Sequence, residues 1–104
     1  MAALLILSTF ADAGTARSVA ATLVEERLAA CANLVPGVQS IYRWRGEVEN
    51  ASEVLVLFKT TEEARARFEA RLKELHPYEV PELLVLRPEG GLPEYLRWIE
   101  QSVE

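Results

Sequence analysis

The chain has 104 residues, half of them apolar, with 11 basic and 16 acidic side chains giving a formal charge of −5. That length suits one compact domain with its own core. The acidic balance argues against a nucleic-acid partner, which needs a basic face to neutralise phosphates. A single cysteine, Cys31, excludes an internal disulfide and points to a reducing compartment.

The charges are skewed: nine Arg to two Lys and fifteen Glu to one Asp, with two Asn and two Gln. Few thermolabile amides and many Glu and Arg fit a heat-adapted source. A GC-rich genome would give the same arginine bias.

The opening "MAALLILSTF" is apolar but short. It lacks a basic flank and the ~18 or more apolar residues of a membrane span, so it reads as a buried strand of a cytoplasmic protein. "AALLIL" is apolar at every position, as in a strand covered on both faces. "ADAGT" supplies turn and cap residues. Ala16, Ala20, Leu23, Val24 and Leu28 then recur on one helical face, and this helix should end near Ala30 and Cys31.

"CANLVPGVQSIYRW" reads as a long second strand, bent or bulged at Pro36–Gly37 because proline cannot donate to a ladder. "RGEVEN" is a polar turn, and "SEVLVLFKT" returns as the third strand of a long hairpin. Thr60 and Glu63 have capping-box spacing for a second helix. Along it Glu63–Arg67 and Glu69–Lys73 form i,i+4 pairs. This helix should stop at His76, since Pro77 crowds the α conformation before it. "PELLVL" is a fourth strand. Pro93 opens a last helix whose Leu92, Leu96, Ile99 and Val103 share a face.

The order is β-α-β-β-α-β-α over residues 1–104, with no repeat, linker or low-complexity tract. The fold class is α+β: an antiparallel sheet of the ferredoxin-like βαββαβ pattern with an extra C-terminal helix. Three strands are apolar on both faces, yet the two main helices can cover only one. The other face would be an association surface, so a homo-oligomer is expected.

Candidate chemistry is sparse. His76 is the only histidine, and a metal site around it would need Glu79, Glu82 or a neighbouring subunit. Otherwise it is a hydrogen-bonding residue at a helix end. Cys31, at a helix C-terminus, is more plausible as a small hydrophobe than as a nucleophile. Neither common phosphate-cradling motif occurs. "GVQSIYR" faintly resembles the acylphosphatase loop, but it falls inside the second strand instead of after the first. Tyr42, Trp44 and Tyr78 suit a subunit contact or a ligand cleft. Glu25–Glu26 and Glu62–Glu63 read as solvated helix faces.

Four stretches, "ERLAACANLVPGVQSIYRWRGEVE", "EVLVLFKTT", "HPYEVPELLVL" and "YLRWIEQSV", together resemble the divalent-cation tolerance proteins of the CutA family. The resemblance spans nearly the whole chain. It implies a homotrimer similar to the PII signalling proteins, with the hairpin around Arg45–Gly46 reaching a neighbouring subunit. It also implies a role in copper and divalent-metal tolerance, no established reaction and no required cofactor. Copper ligands attributed to the family, a first-strand Cys and a His pair, fall on Ser8, Leu75 and His76. Ser8 and Leu75 are poor copper ligands.

Two functional expectations follow. One is a trimer that binds Cu or Zn at an intersubunit cleft through His76 with Glu79 or Glu82. The other is a PII-like signalling or scaffold trimer whose cleft, lined by His76, Tyr78 and Trp44, takes a small molecule or a protein.

Overall fold

The structure is a computed structural model that describes residues 2–104. In chain order it contains β1 (Ala3–Phe10), α1 (Ala13–Glu25), β2 (Cys31–Trp44), β3 (Glu47–Thr61), α2 (Arg65–Leu75), β4 (Leu84–Leu86) and α3 (Pro93–Ser102). The strands form one antiparallel sheet in the order β2-β3-β1-β4, the ferredoxin-like arrangement expected from the sequence.

Alternation divides the sheet. Ile6 and Phe10 of β1 and Val56 and Phe58 of β3 point inward and pack with Val19, Leu23, Phe68 and Leu72 of the two helices. Leu5, Leu7, Leu55 and Leu57 alternate with them and so lie on the opposite, outer face, where they are only half-buried. α3 covers one end of the molecule, packing Leu96 and Ile99 on Ala3 and Ala30.

The first helix ends five residues earlier than its apolar periodicity suggests. Arg27 adopts a left-handed conformation (φ 61°). The N–H of Leu28 then bonds the carbonyl of Leu23 at 3.0 Å, and that of Arg27 bonds Val24 at 3.0 Å. These two bonds are a Schellman motif, with Leu28 folding back onto the core past the helix end. At the other end, Asp12 caps the helix by accepting from the N–H of Thr15 at 2.8 Å.

The β2–β3 hairpin is longer than expected. Residues 47–50, read from sequence as part of the turn, belong to β3. The turn is only Arg45–Gly46, both with positive φ (51° and 83°), as a tight two-residue hairpin requires. The bulge at Pro36–Gly37 is present as a register shift between Val35 and Val38, with Gly37 at φ 73°.

The expected capping box does not form. Thr60 faces the core, where its hydroxyl donates to the carbonyl of Leu28 at 2.6 Å. The N–H of Ala64 instead donates to the hydroxyl of Thr61 at 3.3 Å. The ion pairs on α2 also differ: Arg65 pairs with Glu69 at 2.8 Å, and Arg71 with Glu26 of α1 at 2.8 Å.

β4 is three residues long, half the expected length, and its outward side chains lie on the face that the helices leave uncovered. Leu84 and Leu86 are 58% and 47% exposed. Leu92 is also exposed instead of sharing the buried face of α3.

Candidate functional site

Pro77 ends α2 as the sequence dictates. His76 caps it with an extended ψ of 131°. Its ring then turns inward, 6% exposed, and stacks on Phe10 with centroids 4.2 Å apart. Nε2 lies 2.8 Å from the carbonyl oxygen of Thr9, and Nδ1 lies 3.1 Å from the backbone nitrogen of Tyr78. Only one tautomer satisfies both: Nε2–H donates to Thr9, and Nδ1 accepts from Tyr78. Burial holds the ring's pKa below the ordinary value; the Thr9 carbonyl and the charge of Glu53 oppose that shift in part.

This anchoring throws Tyr78 forward. Its hydroxyl donates to Oε2 of Glu53 at 2.6 Å. Burial and that carboxylate push the phenol's pKa up strongly, so it stays a donor. Glu53 itself is 9% exposed. Glu82 stands close enough for repulsion, and its pKa is raised by burial first and by the charge of Glu53 second. Among the described residues neither carboxylate has a cationic partner.

These groups line a cleft of about 790 Å³ with Thr9, Gln39, Tyr42 and Trp44. The structure therefore brings together Tyr42, Trp44, Tyr78 and Glu82, which the sequence singled out separately. His76 sits behind the wall as its support. Glu79 is on the rim, turned to the hairpin tip, where Arg45 reaches both its oxygens at 3.0 and 3.1 Å. The Arg45 guanidinium lies 5.3 Å above the Trp44 ring, a cation–π contact. Glu53 lines the cleft although nothing in the linear sequence singles it out. It is a lone carboxylate beginning the outward row that continues in Leu55 and Leu57.

The donor set does not fit a soft metal. Both ring nitrogens of His76 are committed, Leu75 packs against the core, and Ser8 is buried with its hydroxyl unpartnered. Among the described residues no three His, Cys, Asp or Glu converge as a metal requires. Cys31 lies away from the cleft lining, 3.8 Å from the hydroxyl of Tyr95. No described helix is long and apolar enough to cross a membrane.

A ferredoxin-like α+β chain with a long hairpin, an apolar outer sheet face and an aromatic, acidic cleft beside the "HPYE" stretch defines a narrow class. The family model described as CutA1 divalent ion tolerance protein matches residues 4–102. The divalent-cation tolerance protein CutA of Thermus thermophilus is 50% identical over 97 residues, 93% of this chain and 94% of that protein. The crystal structure of CutA from Xylella fastidiosa superposes with a TM-score of 0.96 at 40% identity, covering 100% of both chains. A CutA from Archaeoglobus fulgidus, described as periplasmic, superposes with a TM-score of 0.93 at 34% identity over 98% of this chain and 99% of that one. The chain belongs to the CutA divalent-cation tolerance family.

Proposed function

We propose that this protein serves in divalent-cation tolerance as a homotrimeric, non-catalytic binding protein. Its working site is the cleft of Tyr42, Trp44, Glu53, Tyr78 and Glu82, which takes a small molecule or a protein segment as a PII-type trimer would. The observation that carries this reading is the double commitment of His76. A ring that bonds Thr9 with one nitrogen and Tyr78 with the other builds the cleft and has no lone pair left for copper or zinc. Three aromatic rings and a volume of about 790 Å³ also suit an organic group better than a bare ion.

The trimer is supported by the outer leucines, which no element of the chain covers, and by the family's architecture. The free thiol of Cys31 favours the cytoplasm as its compartment.

A second reading keeps a divalent ion in the cleft, with His76, Glu79 or Glu82 as ligands. It is favoured by one observation, the uncompensated pair of carboxylates Glu53 and Glu82, which would attract a hard cation through oxygen. Calorimetry with Cu(II) and with Zn(II) on wild type, His76→Ala and Glu82→Gln separates the readings. The first expects no site that depends on His76. Micromolar binding at one ion per subunit that vanishes in His76→Ala would overturn it. Binding lost only in Glu82→Gln would establish the second.

A further inference from the structure

Two charges on the outer sheet face lack an opposite charge among the described residues. Glu53 is nine-tenths buried, and its one hydrogen bond among the described residues is from the neutral hydroxyl of Tyr78. A carboxylate removed from water without a counter-ion is costly. Lys59 lies six residues further along β3. It is the only basic side chain on β1, β3 and β4, and alternation places it on the same outer face as Glu53. Its row runs through Leu86, Leu5, Lys59 and Cys31. Its ammonium is held by the side-chain oxygen of Asn33 and by no carboxylate among the described residues.

Within one chain these two charges cannot meet. Six residues of strand separate them by roughly 20 Å. Between them lie Leu55 and Leu57, with Leu7 and Leu84 alongside. A face with an unmatched anion at one end, an unmatched cation at the other and leucines between is complementary to another copy of itself. In a head-to-tail ring different patches of the same surface meet, so each end would find its opposite on a neighbour.

We infer that the cleft is a shared site: Lys59 of a second copy enters it and pairs with Glu53, so each cleft is complete only in the assembled protein. This rests on the oligomeric reading above and adds to it the residue that the neighbour contributes. It also assigns a role to a lysine that would otherwise sit on an apolar face for no reason. With Glu53 so paired, Glu82 is the carboxylate left open to a ligand.

The test is a charge cycle read by sedimentation equilibrium: wild type, Lys59→Gln, Glu53→Gln, the double Gln variant, and the exchange Glu53→Lys with Lys59→Glu. Glu53→Gln keeps an acceptor for the Tyr78 hydroxyl, so the protomer should still fold, which far-UV circular dichroism checks. Each single variant should weaken association by roughly tenfold or more, the low end of measured coupling for close interfacial charges. The double Gln variant should be weakened by less than the product of the singles, and the exchange should recover part of the loss. Lys59 is outside the core, so Lys59→Gln stands alone if Glu53 variants misfold; unchanged association in that variant overturns the pair. Independent singles, with the double equal to their product, overturn it too. A monomeric wild type would overturn the oligomeric reading and the inference together, whereas an oligomer indifferent to both charges would remove only the inference.

Discussion

Nε2 of His76 donates to the carbonyl of Thr9 across 2.8 Å, tying the end of α2 to the penultimate residue of β1. With Nδ1 taken by Tyr78, the histidine is a bracket between the core and the cleft wall. Replacing it by alanine removes two buried hydrogen bonds and the stack on Phe10. The expected loss is about 2–4 kcal/mol of stability, read as a lower midpoint in guanidinium unfolding. A midpoint unchanged from wild type would contradict the bracket.

The same burial sets a pH dependence. The folded-state pKa of His76 is lowered from 6.5, by burial first. The unfolded chain therefore binds the proton more readily. The stabilisation from this residue is complete above about pH 6.5 and is lost as pH falls through the lower, folded value. Thermal midpoints measured from pH 7.5 to 5 should fall more steeply in wild type than in His76→Asn. Parallel curves would count against a buried neutral ring.

Glu82 has the opposite sign. Its pKa is raised, by burial first and by repulsion from Glu53 second. Its charge therefore opposes folding at neutral pH, and the opposition is relieved as it protonates. Glu82→Gln should melt above wild type at pH 7, with the gap closing as pH falls. A variant that melts below wild type at pH 7 would show that the carboxylate is compensated.

Gly37 isolates backbone strain. Its φ is 73°, and a Cβ placed there meets nothing within 4 Å. Gly37→Ala should thus cost only the left-handed penalty of about 1–2 kcal/mol, with no clash. The hairpin contacts beyond the bulge should survive, as amide exchange in β2 can check. A neutral substitution would mean that the bulge relaxes.

Most of the fold was legible in the sequence because its signals are local. Pro77 stops α2, Asp12 starts α1 and Pro36–Gly37 marks the bulge, each through chemistry within a few residues. The end of α1 was not legible: arginine seldom takes a left-handed conformation, and Leu28 continued the apolar period although it lies past the helix end. The capping box failed because Thr60 is claimed by the sheet, a tertiary demand that outweighs a local one. The length of the hairpin was hidden by residues 47–50, polar except for Val48, which form strand where both faces meet solvent.

The site was legible in parts. Tyr42, Trp44, Tyr78 and Glu82 were identified separately, because aromatics near a hairpin tip and carboxylates after a helix stop are visible in a linear chain. Their convergence on Glu53 depends on the bulge, which aims the hairpin, and on the His76 bracket, which aims Tyr78. Neither relationship is written in spacing. The position of His76 was plain, but its role was not, since the Thr9 carbonyl that accepts its hydrogen bond lies 67 residues away.

The proposed trimer and the shared cleft both require the outer leucine face to be an interface between copies. Sedimentation equilibrium of the wild-type protein at micromolar concentration measures this directly. The expected result is a single species of three times the 11.6 kDa of one chain. A single species of 11.6 kDa under the same conditions would contradict it.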